Sequence, residues 1–214
     1  MTTFKAALFD LDGTLFDTES QYSVFWERVG RQYHPEIPNF ANIIKGTMLT
    51  TIMKQYFPTP EVEKEIKKGL YEWEFQMRYQ FYPGAELLLQ DLRRHGVKVA
   101  VVTSSNQDKM ASVSRQMPQF HSFFDHVFTA EDFTYSKPNP DCYLKAAKYF
   151  GLQPSECVVF EDAFTGLEAG MRAGMFTFGM ATSNPREAIQ NHCSLVLDNF
   201  DNVTYDWIVV QLKK

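Results

Sequence analysis

The sequence is poor in several features that would each indicate a class of protein. Its three cysteines, Cys142, Cys157 and Cys193, are too few and too widely spaced for a disulfide framework or a zinc site. No apolar run approaches the roughly 18 residues that cross a bilayer. Asp10 and Asp12 interrupt the N-terminal region before the apolar part of a signal peptide could form. We therefore expect a soluble, cytoplasmic protein that makes no contact with a membrane and whose thiols are reduced and buried.

Long runs of one charge are also missing. Lysine and arginine total 21 against 26 acidic residues, so the formal net charge is −5. The absence of a basic run argues against nucleic acid as a partner. A small anionic substrate is compatible with this balance, because a local lysine and a metal ion can dominate the field of one cleft. The five histidines lie outside every motif and lack the spacing of metal ligands, so we interpret them as structural.

Two regions of different character follow each other along the chain. Residues 18–82 carry helical patterns and no β pattern, and prolines divide them into several short helices. From Gly84 onward helix and strand patterns alternate, beginning with an amphipathic helix over Ala85–His95 that ends at Gly96. Strands are expected at Val97–Val102, Val158–Phe160 and Thr177–Gly179.

This alternation predicts an α/β fold. A mostly parallel, doubly wound sheet of the Rossmann-like type would have helices on both faces. Residues 1–16 and 84–214 would form this core domain, and residues 17–83 would form an all-helical domain inserted into it.

The string Asp10-Leu11-Asp12-Gly13-Thr14 follows an apolar run, Ala6–Phe9, that is typical of a buried strand. At the turn that Gly13 introduces, both carboxylates could converge on one pocket. They would serve as a Mg²⁺ ligand set or as a nucleophile beside a general acid. A solvated acidic turn is the alternative for an isolated pair of this kind.

Three later segments place chemically useful side chains beyond predicted strands or in extended loops. Thr103 and its polar neighbours follow a strand and lead into a helix, where hydroxyls and backbone N–H groups can hold an anion. Lys137 precedes Pro138 and so lies in an extended or turn segment. Glu161 and Asp162 follow an apolar strand. Taken singly, these segments are also explained by helix capping, a solvated lysine and an acidic surface turn.

The strings DLDGT, VVTSSN, SKPNPD and FEDAFTG, in this order, resemble the four motifs of the haloacid dehalogenase superfamily of aspartate-nucleophile phosphotransferases. Residues 17–83 resemble the helical cap of its β-phosphoglucomutase-like branch. The chain departs from the pattern at Tyr135-Ser136, where a glycine is often found, and at Ala163, where a serine is common. Both departures leave the charged groups in place.

The resemblance implies a role for each motif residue. Asp10 would attack phosphorus and form an aspartyl-phosphate, and Asp12 would act as general acid and then as general base. Phosphate would be bound by Thr103, Ser104, Asn106 and Lys137. Mg²⁺ would be bound by Asp10, the backbone carbonyl of Asp12, and Asp162, with Glu161 as a direct or water-mediated ligand.

The cap is expected to decide which phosphoryl acceptor is used. Lys45, in a stretch that resembles the specificity loop of such caps, would face the substrate. The cap aromatics are interpreted as its core: Trp26, Phe57, Tyr71, Trp73 and Phe75. The histidine and arginine that help a mutase to hold a second phosphate fall on Tyr22 and Leu49.

We therefore predict a Mg²⁺-dependent phosphatase that hydrolyses a small phosphorylated metabolite, a sugar phosphate being one candidate. A phosphohexomutase is the alternative enzyme, and a catalytically silent phosphometabolite-binding protein is the alternative of another class. Phosphonate cleavage through a Schiff base on Lys45 or Lys54 is a third chemistry, against which a solvated lysine is the common explanation. The patterns do not address oligomeric state, and a monomer or weak oligomer is the working expectation.

Overall fold

The computed structural model describes residues 4–214, so the first three residues of the predicted core lie outside the described part. Within it, six parallel strands form one sheet in the order β3-β2-β1-β4-β5-β6. The strands are β1 (Ala6–Phe9), β2 (Lys98–Val102), β3 (His126–Phe128), β4 (Cys157–Glu161), β5 (Phe176–Met180) and β6 (Leu195–Leu197). The predicted Rossmann-like α/β fold is confirmed.

Ten α-helices accompany this sheet in the described residues. Four of them lie between β1 and β2 in sequence: α1 (Glu19–Tyr33), α2 (Phe40–Ile44), α3 (Leu49–Tyr56) and α4 (Pro60–Gln76). The others are α5 (Ala85–Arg94), α6 (Gln107–Gln116), α7 (Asp141–Tyr149), α8 (Phe164–Arg172), α9 (Arg186–Ile189) and α10 (Tyr205–Gln211). No helix among residues 4–214 has both the length and the hydropathy that a membrane span requires.

Helices cover both faces of the sheet, and this explains why the central strands are apolar on both sides. On one face Phe9, Phe160 and Phe178 stack across three neighbouring strands, with ring centroids 4.5 and 4.8 Å apart. This face shares a core with residues of α5, α6 and α10. On the other face Leu8 and Val159 share a core with residues of α7 and α8. The centre of the sheet is thereby buried on both faces.

The segment 17–83, which we call the cap, has a hydrophobic cluster of its own around Phe25, Phe40 and Ile52. Trp26 and Phe57 are buried there, as expected. Tyr71 and Phe75 are 49% and 50% exposed, so their assignment to the cap core was wrong. Both lie on the side of α4 that faces the core domain, where Phe75 is close to Arg115 of α6 and Tyr71 lines a cleft beside Asp108. The helical pattern alone could not show which aromatic side chains that side would carry.

Strand β1 lies in the middle of the sheet, between β2 and β4. Leu8 is aligned with Ala100 of β2 and with Val159 of β4. The strand order reverses at this point, because strands 2 and 3 extend to one side of β1 and strands 4 to 6 to the other. In open parallel sheets, ligands bind beyond the carboxyl ends of the strands at such a reversal. The residues that follow β1 therefore occupy the expected position of a site.

Candidate active site

The carboxyl ends of β1, β2 and β4 meet at one edge of the sheet. Asp10 follows β1, Thr103 follows β2, and Glu161 and Asp162 are the last residue of β4 and the one after it. The backbone N–H of Asp10 donates to the carbonyl of Phe160 at 3.0 Å, which extends the ladder by one residue beyond β1. This bond places Asp10 beside the two acids of β4. Residues from three separate sequence motifs are thus brought together.

Lys137 lies between two of these acids. Its Nζ is 2.7 Å from Oδ1 of Asp10 and 2.5 Å from Oε1 of Glu161. It also donates to the carbonyl of Val102 at 3.1 Å, and the residue is only 4% exposed. The peptide bond between Lys137 and Pro138 is cis. The solvated lysine that was the alternative for an isolated KPxP segment is therefore excluded.

Both carboxylate oxygens of Glu161 are already bonded to the protein. Oε1 accepts from Lys137 and, at 3.1 Å, from the hydroxyl of Tyr143. Oε2 accepts from the backbone N–H groups of Asp162 and Ala163 at 3.0 and 3.2 Å. These four bonds fix the orientation of the carboxylate at the end of β4.

Asp162 is held by groups that the sequence patterns did not single out. Thr14 donates to its Oδ1 at 3.1 Å, and Ser183 forms a short hydrogen bond with its Oδ2. Asn184 donates to the carbonyl oxygen of Asp162 at 3.0 Å. Ser183 and Asn184 come just after β5, at the same edge of the sheet, and a polar pair at the end of a strand was the signal that could have found them.

The electrostatics of this cluster favour an additional cation. Burial raises the pKa of Asp10 well above its ordinary value, and Glu161 raises it further while Lys137 opposes the rise. Burial, Glu19 and Glu161 likewise raise the pKa of Asp162. Burial alone would lower the pKa of Lys137, but Asp10 and Glu161 outweigh it and hold that pKa well above the ordinary value. One lysine therefore does not offset the crowded carboxylates.

The same cluster has the chemistry of a metal site. Carboxylate oxygens of Asp10, Glu161 and Asp162 lie within 4.8 Å of one another, and all three residues are buried. Oδ1 of Asp10 is bonded to Lys137, while its other oxygen accepts no hydrogen bond within residues 4–214. An oxygen-only donor set of this kind suits a hard divalent cation rather than zinc. The donor set fits such an ion.

Asp12 lies at the same edge but belongs to a different network. Its Oδ1 accepts from the hydroxyl of Thr18 at 2.6 Å, and its Oδ2 accepts from the hydroxyl of Ser105 at 3.0 Å. Lys109 forms a short ion pair with the same Oδ2. The two aspartates of the first motif therefore pair with different lysines, and of these lysines only Lys137 belongs to a motif.

The segment after β2 has the hydroxyls expected of an anion site, although several are already bonded within the protein. Thr103 accepts from the backbone N–H of Ser105 at 3.1 Å. Ser104 donates to the carbonyl of Gly46 at 2.9 Å, and the side chain of Asn106 accepts from the backbone N–H of Lys109 as the N-cap of α6. Thr103, Ser104 and Asn106 thus line the same cavity, whereas Lys137, the fourth residue predicted to bind phosphate, is not among its lining residues.

The cap lies against this edge through the loop that contains Lys45 and Gly46. Besides the bond to Gly46, Thr165 donates to the carbonyl of Lys45 at 3.2 Å. The ammonium of Lys45 pairs with Glu19 at 2.9 Å and lies 3.9 Å from Oδ2 of Asp162. Lys45 therefore faces the site, as the sequence suggested, whereas Lys54 is exposed elsewhere on the cap.

A cavity of about 110 Å³ lies between the cap and the acidic cluster. Its floor includes Asp10, Asp12, Thr103 and Asp162. The cap side of the cavity has apolar and polar residues. The apolar ones are Trp26, Ala41, Ile44, Leu49, Ile52 and Leu70, and the polar ones are Glu19, Tyr22, Ser23, Thr47 and Glu74. Among its described lining residues, Lys45 is the one cation, and Glu19 already pairs with it. The site can enclose a small molecule whose reacting end faces Asp10.

Comparison with known proteins identifies the family. The sequence profile of the haloacid dehalogenase-like hydrolases matches residues 7–180. A probable pseudouridine-5'-phosphatase of Drosophila melanogaster is 34% identical over 179 residues, which is 78% of each chain. Hexitol phosphatase A of Escherichia coli is 31% identical over 94% of this chain and 93% of its own.

A structure described as a putative beta-phosphoglucomutase from Bacteroides vulgatus superposes with a TM-score of 0.81 at 27% identity. The match covers 100% of this chain and 92% of that one. The chain belongs to the haloacid dehalogenase-like hydrolase family, and its similarities place it in the β-phosphoglucomutase-like branch.

Proposed function

We propose that this haloacid dehalogenase-like hydrolase is a Mg²⁺-dependent phosphatase that acts on a small phosphomonoester. The observation that carries the proposal is the buried contact between Lys137 and Asp10, with the free oxygen of Asp10 beside the cavity. Lys137 favours the ionised form of Asp10, which is the form that can attack phosphorus. A relative named as a probable pseudouridine-5'-phosphatase and another named hexitol phosphatase A support the same reaction.

The reaction would proceed in two steps. A carboxylate oxygen of Asp10 attacks phosphorus, the bond between phosphorus and the ester oxygen breaks, and Asp12 gives that oxygen a proton. Water then attacks the aspartyl-phosphate and gives a proton to Asp12. The bond between Asp10 and phosphorus breaks, which releases phosphate and restores both aspartates. Lys137 and the Thr103 hydroxyl would hold the phosphoryl oxygens during both steps.

Mg²⁺ would be held by Asp10, Asp162 and the backbone carbonyl of Asp12, and would offset the charge on the transferring phosphoryl group. We assign Glu161 a supporting role, because its two oxygens already accept four hydrogen bonds. It orients Lys137 and adds negative charge to the cluster. Thr14, Ser183 and Asn184 would keep Asp162 in place around the ion.

The cavity favours a substrate with one phosphate group. A second phosphate would need cations on the cap side, but the cavity's one described cation, Lys45, is paired with Glu19. Tyr22 and Leu49 occupy the positions matched to the mutase histidine and arginine, and the Tyr22 hydroxyl donates to Glu74. A hydroxylated or partly apolar body, such as a sugar, polyol or nucleoside, fits this lining.

The similarity to a putative beta-phosphoglucomutase keeps a phosphohexomutase as the second candidate. A phosphate-release assay separates the two functions. Sugar 1-, 5- and 6-phosphates, hexitol phosphates, nucleoside monophosphates and pyrophosphate are incubated with Mg²⁺ or with EDTA. We expect phosphate from one class of monoester, only with Mg²⁺, and none from Asp10→Asn. Conversion of a hexose 1-phosphate to its 6-phosphate without free phosphate would establish the mutase instead. No turnover and no labelling of Asp10 would leave a binding protein.

A further inference from the structure

Lys109 is a buried charge that belongs to none of the sequence motifs. It lies on α6, is 1% exposed, and forms a short ion pair with the carboxylate of Asp12. Burying an ammonium group is unfavourable unless a well-placed partner compensates for its lost hydration. Asp12 is the carboxylate in contact with it. The burial of Lys109 is thus tied to the residue that the proposed reaction uses as acid and base.

The opposite side of Lys109 faces the cap. Its Nζ lies 4.5 Å from the centre of the Tyr22 ring, within the range of a cation–π contact. The Tyr22 hydroxyl donates to Oε1 of Glu74 at 2.8 Å, and Glu74 is 7% exposed. Burial raises the pKa of Glu74, and Lys109 opposes that rise, so the two charges attract each other. Helices α1 and α4 of the cap therefore complete the surroundings of a lysine that belongs to the core.

We propose that Lys109 is the positioning residue for Asp12 and that the cap residues Tyr22 and Glu74 complete the surroundings of Lys109. This inference rests on the proposed phosphatase function. Thr18 and Ser105 each fix one oxygen of Asp12, and Lys109 adds the positive charge. The ammonium stabilises the carboxylate that remains after Asp12 has given its proton to the leaving oxygen.

Arg115 provides a matched control, because it is a second cation on the same helix that contacts the cap. Its guanidinium carbon lies 3.9 Å from the centre of the Phe75 ring, and the residue is exposed. It has no contact with Asp12 among the described hydrogen bonds and ion pairs. If Lys109 merely joined the cap to the core, Lys109→Met and Arg115→Met would have the same kind of effect.

The test compares two esters that differ in their need for a proton. A sugar phosphate needs protonation of its leaving oxygen, whereas p-nitrophenyl phosphate releases a stable anion. We expect Lys109→Met to lower kcat/KM for the sugar phosphate roughly 10- to 100-fold, and to lower it far less for p-nitrophenyl phosphate. Lys109→Arg should recover part of the loss. Arg115→Met should change both kcat/KM values by the same factor.

A double-mutant cycle on thermal unfolding tests the contact independently of activity. Lys109→Met should lower the midpoint temperature in the wild type and lower it less in an Asp12→Asn background. Additive changes in midpoint would overturn the pairing, and equal losses of kcat/KM on both esters would overturn the positioning role. In either case an active wild type leaves the phosphatase function standing. A wild type that releases phosphate from none of the monoesters of the phosphate-release assay overturns the phosphatase, and with it the role of Asp12 that Lys109 serves.

Discussion

Replacing Gly166 by alanine tests whether the packing of α8 against Glu161 holds the site together. Gly166 lies in the first turn of α8, and a methyl group there would overlap the carboxylate of Glu161. That carboxylate is not a flexible end, because Lys137, Tyr143 and two backbone N–H groups fix it. The added methyl group must therefore displace the helix or break the bonds of a buried ion pair.

The size of the effect follows from two opposing contributions. Alanine is favoured over glycine by about 1 kcal/mol in a helix interior. Breaking a buried, hydrogen-bonded ion pair costs about 3–5 kcal/mol. We therefore expect Gly166→Ala to lower the free energy of unfolding by about 2–4 kcal/mol. Phosphate release should fall as well, because Lys137 loses one of its two anionic partners.

Gly69→Ala is the control for this substitution. Gly69 also lies inside a helix, α4, but a methyl group there would meet the ring of Phe25 at an ordinary contact distance of 3.6 Å. This variant should gain about 0.5–1 kcal/mol and keep its activity. Urea denaturation followed by circular dichroism measures both changes. A Gly166→Ala protein as stable and as active as Gly69→Ala would refute the reasoning, because it would show that Glu161 moves without cost.

Three further predictions concern single side chains of the site. Lys137→Met should reduce phosphate release at least about 100-fold and lower the free energy of unfolding by about 3–5 kcal/mol, measured in the same two assays. Ser183→Ala removes a hydrogen bond to Asp162, and should raise the Mg²⁺ concentration for half-maximal activity roughly tenfold with little change in kcat at saturation. Burial raises the pKa of Glu19 from 4.5 to about 7. As the pH rises, Glu19 therefore loses its proton at a lower pH in the unfolded chain than in the folded protein, and the free energy of unfolding falls between pH 4.5 and pH 7. Glu19→Gln should therefore have a higher free energy of unfolding than the wild type above pH 7 and the same value below pH 4.5. Urea titrations without metal measure this, and a difference between the two proteins that stays constant with pH would contradict it.

The sequence could predict the centre of the sheet because its strands are buried on both faces and are followed by acids or hydroxyls. Strand β2 and helix α5 were placed within one residue of their observed bounds. Strands β3 and β6 were not predicted. Each has three residues and lies at an edge of the sheet, where partial exposure breaks the apolar run.

Residues of the candidate site could be predicted where a local motif contains the residue type that the proposed chemistry needs. Asp10 and Lys137 are of this kind, and the structure places them in contact. Lys109 and Ser183 were missed because their roles depend on which residues of distant segments they meet. The partner of Lys109 is 97 positions away in the chain, and no local pattern distinguishes it from a solvated helix lysine. Tertiary contacts alone reveal the role of Lys109.

The position of β1 in the sheet also affects when, during synthesis and folding, the contacts around Asp10 can form. This strand precedes the other five described strands in the chain, but its neighbours are residues 98–102 and 157–161, and the cap is synthesised before either of them. Contacts of such large sequence separation form late, while helices with local contacts form early. On the ribosome, the cap can therefore fold while Asp10 still lacks both Lys137 and the acids of β4. The surroundings of Asp10 are therefore completed late, although this residue directly follows the first of the described strands.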